Sequence, residues 1–238
     1  MNGFLYGIML QWKLDLRNKG ILLTYYIVPI IFFGFMGGIF TSIDPMAYKT
    51  LIPSMTVFGV TMGAIIGSPT PLVEFFNSDT KKAYTVGKIP LWTAVANNFI
   101  SAFIHLFIMS LILFSIAPIG FKATMPSNII VYFTNLALFI ATCLSVAMVI
   151  GLFVKSTSKL TMISQLVFLP SIMLSGIMFP SDMLPDFLQC IGKILPATWG
   201  YQNMCKGEFD IVILLPMIGL IVICILISIW KVRKLKLN

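Results

Sequence analysis

Few side chains in this 238-residue chain are suited to acid–base, nucleophilic or metal chemistry. The one histidine, His105, sits in a long apolar run without charge. Alone, it supplies neither a metal site nor a base paired with a nucleophile. As a single polar group in such a run it reads as glue between helices, in preference to a proton relay. Of the four cysteines, Cys143 and Cys224 lie in apolar runs and read as small core residues. Cys190 and Cys205 share one connection, where they would be able to pair only in an oxidising compartment. None stands in a CxxC or metal-ligand spacing. No HExxH helix, GxSxG elbow or GxxxxGK[ST] phosphate loop occurs. Gly87-Lys88 and Gly192-Lys193 lack the remaining residues of a phosphate loop. The chain therefore reads as no enzyme, binding no metal and no cofactor of its own.

The elements that carry these residues belong to a membrane. Apolar residues make up 58% of the chain and charged residues 10%, against about 25% charged in soluble domains. A net charge of +8 would suggest nucleic acid in a soluble protein. Here basic residues flanking membrane spans explain it, and no nucleic-acid partner is expected. Six apolar runs approach the roughly 20 helical residues that a bilayer requires, at 21–41, 51–69, 91–117, 129–154, 160–178 and 211–230. None contains Asp, Glu, Lys or Arg. No cleavable leader is expected, because Lys13, Arg17 and Lys19 precede the first run.

An even number of spans leaves both termini on one side. With that side inside, Lys13, Arg17, Lys19, Lys81, Lys82, Lys88, Lys155, Lys159, Lys231, Arg233, Lys234 and Lys236 are cytoplasmic. Only Lys49, Lys122, Lys193 and Lys206 are outside, with Asp44, Asp182, Asp186, Glu208 and Asp210. This bias predicts cytoplasmic termini. The near absence of arginine suggests a low-GC bacterium, hence a bacterial plasma membrane. Small residues four apart predict close helix packing: Gly34 and Gly38; Gly59, Gly63 and Gly67; Ala137, Ala141 and Ser145. Residues 1–20 read as an interfacial helix, with Leu5, Ile8, Met9, Trp12 and Leu16 on one face and Gln11, Lys13, Asp15, Arg17 and Asn18 on others. Residues 21–230 form the bundle and 231–238 a basic tail, in one domain.

One connection is too rich in proline for a span and too apolar for a solvent loop. Residues 175–199 read SGIMFPSDMLPDFLQCIGKILPATW. The spaced series Gly176, Phe179-Pro180, Leu184-Pro185 with Phe187, and Leu195-Pro196 with Trp199 resembles the membrane subunit of type-2 ABC exporters. The interfacial helix, six spans and basic tail extend that resemblance along the whole chain. It implies an all-α membrane protein with short re-entrant helices between spans five and six, packed inward. Gly176, Phe179, Pro180, Leu184, Pro185 and Pro196 would form the outer gate. Pro180 and Pro185 suit helix starts and Pro196 a helix end.

The resemblance also implies a coupling helix in the loop 72–90, docking on an ATPase subunit through Glu74, Phe75, Phe76, Asp79, Lys81 and Lys82. The family's Gly-Thr pair is absent there; Asp79-Thr80-Lys81-Lys82-Ala83 stands in its place. Spans two and five would line the translocation path, through Ser54, Thr56, Thr61, Ser164, Gln165, Ser171 and Ser175. With soft methionines alongside, that lining suits an amphipathic or hydrophobic peptide, drug or lipid. ATP and Mg would bind the partner ATPase, and a second identical or paralogous permease would complete the path. A channel or secondary transporter, or a membrane sensor or scaffold, stand as alternative readings.

Overall fold

The computed structural model describes residues 3–43 and 47–237. Asp44 lies outside the described residues, as does the Lys236 side chain. Among the described residues every regular element is a helix, and there is no strand. Helix α1 is Gly3–Arg17 and α2 is Lys19–Ser42. Then come α3 (Leu51–Asn77), α4 (Asp79–Val86), α5 (Leu91–Phe121) and α6 (Ile129–Phe153). The last four are α7 (Thr157–Met173), α8 (Asp186–Gly192), α9 (Pro196–Lys206) and α10 (Ile211–Leu237). Five of them, α2, α3, α5, α6 and α10, are long and apolar enough to cross a membrane.

The second of these, α3, is the centre of the bundle. Of its apolar window, 89% is buried in protein, against 17% for α10. Its glycine stripe explains how neighbours come so close. A Cβ on Gly63 would lie 2.3 Å from the Leu106 side chain, and one on Gly67 would lie 2.6 Å from Tyr25. On Gly59 it would lie 2.8 Å from Met109. Helices α2 and α3 each widen into one π-helical turn, at Leu23–Ile27 and Gly63–Gly67. Tyr25, in the first, is buried against the glycines of the second. The expected Gly34/Gly38 face on α2 does not pack in this way. Gly34 faces open space and Gly38 only grazes Phe121 at 4.0 Å, because α2 lies at the edge of the bundle.

Three further departures have local causes. Span five, expected at 160–178, is helical only to Met173. Its 17 residues extend about 26 Å, short of a full bilayer core. The chain then turns through buried Ser175, whose Oγ donates to the Ile172 carbonyl at 2.7 Å. Gly176 follows at φ +94, a conformation that side chains with a Cβ avoid. Pro196 does not end a helix; it opens α9 in the first turn, where a missing N–H costs nothing. The basic tail is no separate segment, since α10 continues as a helix to Leu237.

The basic segments gather at one end. There Phe4 lies 6.0 Å from Trp92, Asn77 donates to the Lys155 carbonyl at 2.7 Å, and Phe153 lies 6.4 Å from Trp230. At the opposite end Thr124 N–H donates to the Tyr48 carbonyl at 3.0 Å. The glycine stripe yields a direct test. Gly63→Leu should destabilise the bundle by about 1–3 kcal/mol through overpacking, whereas Gly34→Leu should leave the thermal midpoint in detergent unchanged.

Candidate functional site

The expected coupling loop is mostly helical. Helix α3 runs on past the bundle to Asn77, so Glu74, Phe75 and Phe76 are its last turn. Ser78 then breaks the helix and caps α4, accepting from Thr80 N–H at 3.3 Å. Asp79, Lys81 and Lys82 lie on α4. Glu74, Asp79 and Lys82 are exposed, and Lys82 bonds Asp79 at 2.8 Å. Phe75 and Phe76, expected as anchors for a partner, are half-buried. The Phe75 ring meets Tyr84 edge-on at 4.9 Å and so clamps α4 against the end of α3. The apolar residues left outward here are Val86 and Ile89.

Behind this segment lies a polar cluster that periodicity did not reveal. Helix α1 docks on α5 by its polar face. Asp15 is buried; Ser101 Oγ donates to its Oδ2 at 2.5 Å and Gln11 Nε2 to its Oδ1 at 2.8 Å. Trp12 stacks on His105 at 3.9 Å with the rings nearly parallel. His105 Nδ1 lies 2.7 Å from the Tyr26 hydroxyl on α2. Of the expected apolar face, Leu5, Met9 and Leu16 are exposed, while Trp12 packs on His105. An outward apolar face suits a helix lying against lipid. Asn98 donates to the Ser68 carbonyl at 2.9 Å, while Asn97 Oδ1 and Asn98 Oδ1 are buried without a partner. A cavity of about 110 Å³ joins these groups to the coupling segment, between Gln11, Phe75, Tyr84 and Asn97.

The residues expected along the path are mostly enclosed within the single chain. Ser54, Thr56, Thr61, Ser164, Ser171 and Ser175 are buried. Thr56 shares a hydrogen bond with the Tyr132 hydroxyl at 3.0 Å, and Thr61 donates to the Val57 carbonyl at 2.7 Å. Ser171 donates to the Val167 carbonyl at 2.6 Å, whereas Ser164 Oγ has no partner. Gln165 alone is exposed, on a face of α7 with Met162, Leu166, Leu169 and Met173.

The proline-rich connection divides into two parts. Pro180 precedes a 3₁₀ turn at Ser181–Met183, and Pro185 sits at the N-cap of α8. Phe179, Met183, Phe187 and Ile194 are exposed, so this half is not packed inward as expected. The second half is. Ala197, Thr198, Asn203 and Met204 of α9 are buried, and Gly200 lies against the Phe139 ring of α6. Thr198 Oγ1 donates to the Gly192 carbonyl at 2.7 Å, and Trp199 Nε1 to the Lys193 carbonyl at 2.7 Å, tying α9 back to α8. Cys190 and Cys205, on different helices here, are both free thiols.

Burial raises the Asp15 carboxyl above its ordinary range, opposed by the hydrogen bonds from Ser101 and Gln11. A carboxyl whose folded pKa exceeds its unfolded value holds its proton more tightly when folded. Its contribution is therefore greatest below the ordinary carboxyl range and falls as pH rises through the raised value. Asp15→Asn should keep α1 docked and flatten the fall of the thermal midpoint as pH rises above the ordinary carboxyl range. Asp15→Ala, which strands Ser101 and Gln11, should cost about 1–3 kcal/mol.

Comparison with known proteins agrees with this architecture. No curated protein matches the chain significantly. The ABC-2 type transporter family profile matches residues 4–209, from the docked helix α1 through α9. The chain thus belongs to the ABC-2 type transporter family, as the non-catalytic membrane component of an ABC transporter.

Proposed function

We propose that this chain is the permease subunit of an ATP-driven exporter, embedded in a bacterial plasma membrane with both termini in the cytoplasm. A separate ATPase subunit binds ATP and Mg, and two permease units enclose the path. The observation that carries this reading is the continuity of α3. One 27-residue helix, about 40 Å long, joins the buried centre of the bundle to the exposed Glu74, and Ser78 links its end to α4 with the exposed Asp79 and Lys82. A docked ATPase acting on Phe75, Phe76 and Lys81 would move that helix as a rod. In this reading a nucleotide-driven motion reaches the path through its differential effect on inward and outward states.

Six crossings follow if α7 and the turn after it, ending near residue 178, form the fifth. The re-entrant reading of α9 is supported by its contact with Phe139, ten residues, or about 15 Å, along α6 from Ile129. Gly176, Phe179, Pro180, Leu184, Pro185 and Pro196 then frame the outer gate. The exposed face of α7 supports a path at the contact between two permease units, with Gln165 as its polar point and Met162 and Met173 as adaptable walls. Ser54, Thr56, Thr61, Ser164, Ser171 and Ser175 would join that lining only in a state that parts α3 from its neighbours. An amphipathic or hydrophobic substrate, such as a peptide, drug or lipid, fits these surfaces.

Reconstitution with the cognate ATPase tests the coupling. The permease should stimulate ATP hydrolysis, and the double variant Glu74→Lys with Asp79→Lys should weaken ATPase binding about tenfold or more by charge repulsion. Undiminished binding and export in that variant would remove the coupling segment from the mechanism. The orientation has its own test: in intact cells a membrane-impermeant maleimide should label the exposed Cys190 and spare a cysteine placed at Lys82.

A further inference from the structure

A second cavity lies away from the coupling segment and from the outward face of α7. It is a groove of about 890 Å³ between α5, α6 and α10. Its size falls within the roughly 300–1,000 Å³ of sites that hold one ligand. Its walls are apolar: Val95, Phe99 and Ile100 of α5, Met148 of α6, and Ile225 and Ile229 of α10. Of the two serines within it, Ser145 and Ser228, the first donates to the Ala141 carbonyl at 2.7 Å.

Charge enters at one end only. Arg233 is in the lining, and no carboxylate is. Among the described residues Arg233 forms no ion pair. Its neighbours Lys231 and Lys234 are held over the rings of Phe153 and Trp230, at 4.3 and 5.5 Å. Trp92, in the first turn of α5, lines the same end. The depth is equally telling. The lining extends along α10 from Arg233 to Cys224, about 14 Å of helix, and along α5 from Trp92 to Ile100, about 12 Å. One leaflet of hydrocarbon is about 15 Å thick.

We infer that this groove is a binding site for one anionic phospholipid of the leaflet on the basic side of the bundle. Its acyl chains lie between α5, α6 and α10, and its phosphate rests on Arg233. An apolar slot of one leaflet's depth excludes water and demands hydrocarbon. The unpaired guanidinium at its mouth, a bidentate phosphate binder, selects for negative charge. The aromatic Trp92 and Trp230 suit the level where headgroups begin. The site depends on neither the ATPase nor the direction of transport.

The test uses the full-length chain, delipidated in detergent and titrated with dioleoyl-phosphatidylglycerol or dioleoyl-phosphatidylcholine under native mass spectrometry. Phosphatidylglycerol should be retained about fivefold better, the preference expected from one added cation–anion contact. Arg233→Gln should bring the two lipids to parity, and Ala96→Phe, which fills the groove, should lose both without lowering the thermal midpoint. Equal retention by the wild type, or a preference that survives Arg233→Gln, overturns the assignment. So does efficient cross-linking of two copies through Ser228→Cys in a cysteine-free background, which would put a second permease in the groove. Because the isolated chain is used, a failure of the exporter reading leaves this result untouched, and the reverse holds too.

Discussion

Hydrocarbon offers no hydrogen-bond partner, so polar side chains in a lipid-embedded bundle turn inward and apolar ones face out. That constraint organises the whole molecule. It sends Asp15 and Gln11 of α1 onto Ser101, and leaves Leu5, Met9 and Leu16 on the outside. It buries Asn97, Asn98, Asn135 and Asn203 between helices. It also explains why Thr61 and Ser68 of α3 donate to carbonyls of their own helix and why Thr56 shares a hydrogen bond with the Tyr132 hydroxyl. A hydroxyl without an exposed partner satisfies itself locally, as Ser68 does on the Ala64 carbonyl at 2.7 Å.

Close packing around α3 follows from a second, simpler fact. With lipid outside there is little hydrophobic gain in bringing helices together, so contact area and fit must hold them. The glycines of α3 supply the fit by letting Leu106, Tyr25 and Met109 reach its backbone. The paired π turns place Tyr25 in the space that results. Buried amide atoms without a partner, Oδ1 of Asn97 and Asn98 and both polar atoms of Asn135 and Asn203, are the counterpart of this tightness. Buried groups without partners hold free energy that a different packing would release.

The legible part of the fold was whatever depends on local composition. Five long helices stand where unbroken apolar runs predicted them, and the basic segments share one end because each flanks such a run. The stripe Gly59, Gly63 and Gly67 was readable as a packing face, since three small residues in register leave a smooth surface. Gly34 and Gly38 made the same pattern without the same result. Spacing says that a face is small, and only the neighbours decide whether anything fills it. For the candidate site, the stretch that extends beyond the bundle was readable from its charges, but the roles of its aromatics were not. Phe75 and Tyr84 serve each other, because a short helix such as α4 needs an internal clamp to hold against its neighbour.

By itself the amino-acid sequence determined the membrane environment, the helical class and, through the spaced prolines and overall pattern, the family. These depend on residue types and short-range order, which hydropathy and backbone chemistry convert directly into helices and breaks. The tertiary structure alone decided that α1 faces inward with its polar side, that α7 stops at Met173, that Pro196 begins a helix, and that Trp12 finds His105. It also decided where one unpaired arginine meets an apolar groove. Each of these is a contact between segments far apart in the chain, and a helix's periodicity carries no record of which neighbour will lie against which face.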